Sequence, residues 1–116
     1  MVEVNPIISA VTEELRRNTQ NVLGDKLRKI ILYGSYARGD YKEYSDLDIM
    51  VLADVDELES KTLESEIDRT ASDIGLEHDI IVSVLLYDEK LFMSRLPISP
   101  FYRNVLSEGV EIYGTH

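Results

Sequence analysis

Apolar positions along the chain follow two alternating rhythms, and the alternation outlines the elements. Ile7, Val11, Leu15 and Val22 recur at helical spacing until Gly24. Asn5 suits a cap and Pro6 the first helical position, which predicts a helix over about 6–22. Leu27 to Tyr33, LRKIILY, is instead a short aliphatic and aromatic run closing on Gly34, and it reads as a strand buried for much of its length. Residues 35–44 carry turn signals and too few apolar positions for a long helix, so one helical turn and a loop are predicted there. A second strand follows from Asp46 to Ala53.

From Asp56 onward Leu63, Ile67, Ala71 and Ile74 restore the helical period, and Gly75 is read as the stop. Asp79 to Leu86 is nearly uninterrupted aliphatic sequence, a third strand. Asp88 and the pair Ser99-Pro100 each offer the start of a short helix, the last one ended by Gly109. The order helix, strand, turn, strand, helix, strand, helices predicts an α/β (α+β) architecture. A small mixed sheet would be flanked by helices in one domain over 1–116, with no linker, repeat or low-complexity tract.

Composition narrows the function classes. A chain of 116 residues suits one hydrophobic core and, by expectation, one site. No apolar segment is long enough to cross a bilayer and no signal peptide is evident, so no membrane partner and a cytoplasmic location are expected. The absence of cysteine excludes disulfides and thiolate metal sites, which leaves hard oxygen ligands. Twelve Lys and Arg against twenty-two Asp and Glu give a net charge of −10, the wrong sign for tracking a phosphodiester backbone. Long nucleic acid is therefore not an expected partner. The same acidity suits a basic protein partner or plain solvation equally well.

Two features carry chemistry. On a strand, Asp46 and Asp48 of SDLDIMVL project to the same side, with Leu47, Ile49 and Val51 on the other. Two neighbouring anions in a partly apolar sheet are unfavourable unless protons or a cation compensate them, and magnesium suits such oxygen donors. Twelve residues earlier, Gly34-Ser35 stands at the junction of a strand and a helical turn. There free backbone N–H groups and a hydroxyl can meet phosphate, and Gly34 lets the backbone approach closely. Either feature alone is commonplace. Gly34-Ser35, ten residues, then Asp46-Leu47-Asp48 is a far rarer arrangement.

In this arrangement GSYARGDYKEYSDLDIMVL resembles the signature of the DNA polymerase beta nucleotidyltransferase superfamily, and in particular its minimal nucleotidyltransferases (MNT). The similarity runs from Lys26 through the terminal FYRNVLSEGVEIY. The resemblance implies a polymerase-beta-type nucleotidyltransferase fold and transfer of a nucleoside monophosphate from a magnesium-bound triphosphate to a hydroxyl. Three carboxylates and the Gly-Ser loop would carry the reaction. Asp46 and Asp48 would then be two of the three and hold two Mg2+ ions together with a third. Asp79, opening HDIIVSVLL, is the choice for the third, and Glu77, of the same parity, is the alternative. Gly34, Ser35 and Arg38 would meet the nucleotide, Arg38 at the leaving pyrophosphate. His78 reads as a packing or hydrogen-bonding residue, and no tyrosine among Tyr33, Tyr36, Tyr41 and Tyr44 has an assigned part. The resemblance further implies an MntA-like antitoxin of HEPN/MNT toxin-antitoxin modules, which neutralises a HEPN-domain ribonuclease toxin by adenylylating its tyrosine with ATP. Neutralisation by stoichiometric binding, without chemistry, is the alternative.

Overall fold

Strand pairing builds the molecule around a central pair. β1 (Leu27–Tyr33) and β2 (Leu47–Ala53) run antiparallel, with Leu27 opposite Ala53 and Tyr33 opposite Asp48. β3 (Val82–Asp88) joins β2 in parallel, and β4 (Val110–Gly114) joins β1 antiparallel, giving the order β3-β2-β1-β4. A parallel pair needs a crossover, and α3 (Glu57–Glu77) supplies it. The computed structural model describes residues 6–115.

Alternation along the strands separates two apolar layers. Leu47, Ile49 and Val51 face the side where Ile8, Val11 and Leu15 of α1 (Pro6–Leu23) meet Ile67, Ala71 and Ile74 of α3. Met50 and Leu52 face the other side, where Ile31, Phe92 of α4 (Glu89–Arg95) and Val105 of α5 (Pro100–Glu108) form a smaller cluster. Asp48 alternates with Met50, so its carboxylate belongs to this second face, at the end the short helices leave open. Among the described residues no helix is long and apolar enough to cross a membrane.

Helix starts are set by side-chain caps. Asp56 accepts from the Glu59 amide while Glu59 reaches back to the Asp56 amide, a reciprocal capping box for α3. Asp88 and Ser99 cap α4 and α5, as their sequence positions predict. Asn5, read as the cap of α1, lies outside the described residues.

Three sequence expectations are corrected. Gly75 does not stop α3, which continues to Glu77. A Cβ at Gly75 would lie 2.4 Å from the Ile80 carbonyl oxygen and 3.1 Å from Val82 Cγ2, so glycine is needed for close approach of the following turn. β3 begins at Val82 rather than Asp79, because Asp79 stands in that turn with φ of 60°. The terminal strand β4 was not anticipated. Its side chains are only partly buried, so VEIYG lacks the dense apolar run that marks β1 and β2.

Candidate active site

The Gly-Ser turn is built by a change of direction at the end of β1. Gly34 adopts φ 76° and ψ −155°, a conformation that L side chains rarely take, and α2 (Ser35–Arg38) starts immediately after it. The Gly34 carbonyl accepts from the amides of Ala37 and Arg38, both at 3.1 Å. The first amides of such a turn have no partner within it and remain able to bind an anion.

Asp48 is packed directly over this turn. A Cβ placed on Gly34 would fall 2.4 Å from Asp48 Oδ2, so the absence of a side chain at Gly34 is what lets the carboxylate sit there. Asp48, Tyr33, Gly34, Ser35 and Arg38 line one side of a cleft of about 370 Å³. α5 supplies the opposite wall with Phe101, Asn104, Val105 and Glu108. The expected phosphate turn and one of the expected carboxylates therefore share a single cavity.

Burial pushes the Asp48 carboxyl above its ordinary value, the negative charge of Asp46 pushes it further, and Arg38 partly opposes both. Asp46 stands one residue before β2, close enough to act on Asp48 and on Tyr36. Two carboxylates repelling one another at the edge of an apolar layer form the environment that a divalent cation relieves. The donor set thus fits magnesium: oxygen only, anionic, and open to solvent for the waters that magnesium retains.

The other polar groups of the cleft are held by their neighbours. Arg38 pairs through Nε with Asp40 at 3.2 Å and through Nη1 with Glu108 at 3.6 Å, so its guanidinium spans the mouth of the cleft from α2 to α5. Tyr33 sits beside Asp48, and burial first, then the charge of Asp48, pushes its phenol up to about 12. It stays protonated at neutral pH and cannot act as a resting base. Tyr33 meets Phe101 edge-on, with centroids 5.8 Å apart, and Tyr36 stacks on Tyr41 at 4.3 Å.

Asp79 is not brought to this cleft. It lines a separate cavity with Tyr44, Ser45 and Ile81, which shares no residue with the first. Glu77 is also elsewhere, gathered with Glu14 and His78 within 4.8 Å. That group joins α1 to the end of α3, on the face of the sheet opposite Asp48. His78 Nε2 lies 3.4 Å from Glu14 Oε1, in keeping with the hydrogen-bonding part read for it.

Sequence reasoning missed the α5 wall. Phe101, Asn104, Val105 and Glu108 fall at i, i+3, i+4 and i+7, which marks one face of a helix. The spacing was visible, but nothing in the chain ties that face to the Gly-Ser turn. Across β2 and β3 Asp48 is partnered by Ser83, a neighbour that only the strand register identifies.

Comparison with known proteins identifies the family. The nucleotidyltransferase domain family matches residues 9–112. MJ0141 of Methanocaldococcus jannaschii, named as a candidate protein adenylyltransferase, is 35% identical over 90% of this chain and 98% of its own length. MJ0604 of the same organism, named likewise, is 40% identical over 76% of this chain and 80% of its own. Among solved structures, the MntA-HpeT toxin-antitoxin superposes with a TM-score of 0.56 at 21% identity, over 90% of this chain and 74% of that one. A toxin-antitoxin solved with AMP-PNP gives a TM-score of 0.53 at 23% identity over the same shares. A candidate minimal nucleotidyltransferase gives 0.51 at 22% identity, over 85% of this chain and 93% of that one. The structural likenesses fix the fold, and the sequence matches extend over nearly all of the chain that carries the Gly-Ser turn and the paired aspartates: this protein belongs to the nucleotidyltransferase domain family.

Proposed function

We propose that the protein transfers AMP from magnesium-bound ATP to a protein hydroxyl, and that the acceptor is a tyrosine of a HEPN-domain ribonuclease toxin which it thereby neutralises. The observation that carries the chemistry is the shared cleft of Gly34, Ser35 and Asp48, which sets a phosphate-binding turn against a carboxylate of the Asp46/Asp48 pair. A protein acceptor is supported by the relatives named as candidate protein adenylyltransferases, which align over 98% and 80% of their own length, and a toxin partner by the toxin-antitoxin structures among the fold neighbours. One of those toxin-antitoxin structures was solved with AMP-PNP, which supports ATP as donor.

In the transfer, the acceptor oxygen forms a bond to the α-phosphorus, and the bond from that phosphorus to the oxygen bridging to the β-phosphate breaks. Pyrophosphate leaves with the electron pair, and the acceptor's proton passes to water. Asp46 and Asp48 would hold magnesium, whose charge neutralises the phosphates and steadies the leaving oxygens. Gly34 and Ser35 would seat the phosphates through backbone amides and the hydroxyl. Arg38, at the mouth, would exchange its partners Asp40 and Glu108 for the departing pyrophosphate. Asp79, which lines a separate cavity, is given no part in this step.

The test is the intact mass of a co-expressed HEPN partner after incubation with the protein, ATP and magnesium, beside an Asp46→Asn/Asp48→Asn double variant. Added AMP with the wild type alone is the expected result. A partner that is inhibited yet unmodified would replace this reading with neutralisation by binding.

A further inference from the structure

The pairing of β2 with β3 identifies what stands at the third position around the aspartates. Parallel partners share a face, and Asp48 is partnered by Ser83, with Leu47 opposite Val82. The ladder extends one step further, where the Leu47 amide donates to the Ile81 carbonyl at 2.8 Å, which puts Ile81 beside Asp46. The positions beside the two aspartates, one on β3 and one just before it, are therefore a hydroxyl and an aliphatic side chain. Asp79 lies four residues before Ser83, whereas Asp46 lies only two before Asp48. Even fully extended, at roughly 3.3 Å per residue, the chain would carry Asp79 about 6–7 Å past Asp46. It is in fact turned away, with φ of 60° and its amide directed to the Leu76 carbonyl.

On the other flank of Asp48, across β1 and β2, stands Tyr33, which brings no carboxylate. The one further carboxylate of the cleft, Glu108, is engaged with Arg38. Among the described residues, then, Asp48 lines the cleft, Asp46 lies close enough for its charge to act on Asp48, and Ser83 puts a hydroxyl at the adjoining β3 position. Two divalent cations about 3.5–4 Å apart repel strongly and need carboxylates shared between them, which two monoanions and a serine supply poorly.

We propose that Ser83, and not Asp79, is the third protein group of the metal site, so that the cleft holds a single divalent cation on Asp46 and Asp48. The inference rests on the reading that these aspartates bind the metal, and the experiment separates the two. Manganese, as the probe, is titrated into the full chain with a non-hydrolysable ATP analogue present, and bound ions are counted by electron paramagnetic resonance. Loss of the bound ion in the Asp46→Asn/Asp48→Asn variant is required for the underlying reading; retention there would remove it. One ion in the wild type, one in Asp79→Asn at unchanged affinity, and two in Ser83→Asp are the expected results. Two ions in the wild type, a weakened or lost ion in Asp79→Asn, or a count of one in a folded Ser83→Asp would overturn the proposal. Should Ser83→Asp fail to fold, by circular dichroism, the wild-type and Asp79→Asn counts decide alone.

Discussion

At the scale of single residues, Gly34 shows how a backbone requirement and a chemical one fall on the same atom. Its φ of 76° costs any L residue on the order of 1–3 kcal/mol, and a Cβ would meet Asp48 Oδ2 at 2.4 Å. The second conflict is the cheaper to relieve, because the obstructing atom is the end of a side chain that can rotate away. That rotation removes the carboxylate from its place over the turn. Gly34→Ala is therefore expected to fold with a midpoint lowered by several degrees, while AMP transfer falls about 100-fold, the size associated with misplacing a reacting geometry by an ångström. Thermal unfolding and initial rates on one preparation would check it; a variant that folds and transfers at the wild-type rate would remove Gly34 from the site.

Gly75 presents the opposite case at the scale of elements. In a helix interior, exchange of Gly for Ala ordinarily stabilises by about 0.5–1 kcal/mol. Here the new methyl would meet the Ile80 carbonyl oxygen at 2.4 Å, and backbone cannot rotate aside, so overpacking of about 1–3 kcal/mol outweighs the helical gain. Gly75→Ala should lower the denaturant midpoint at unchanged m, and wild-type stability would contradict this account of the turn. The same residue marks where the chain stopped being legible. Periodicity reads Gly75 as a stop because local sequence cannot distinguish a glycine needed for its φ from one needed for close approach. From that point the reading places Asp79 on the strand, although the turn consumes residues 78–81 and β3 opens at Val82. The elements with a dense apolar rhythm, α1, β1, β2 and α3, were readable to within about two residues, and Gly34, Ser35 and Asp48, singled out from the chain, line one cavity. β4, the α5 wall and Ser83 were not, since each depends on pairing between segments far apart in the chain.

The whole molecule adds a field to these local contacts. A net charge of −10 is carried on a body of 35 × 28 × 23 Å. At about 0.01 M ionic strength the screening length is ~30 Å, so a cation approaching the cleft is drawn by nearly every excess carboxylate. At about 0.15 M it is ~8 Å, and only the immediate neighbours count: Asp46, Asp48 and the opposing Arg38. A site closed by many ligands would barely register this difference, because its affinity would come from direct coordination. Two carboxylates and an open mouth leave more of the attraction to the field. Manganese affinity, measured by calorimetry without nucleotide, should accordingly weaken several-fold between the two ionic strengths, and Asp73→Asn, exposed on α3 and remote from the pair, should weaken it mainly at the lower one. An affinity indifferent to salt would mean that the pair gathers the ion by contact alone and that the acidic surface serves some other end.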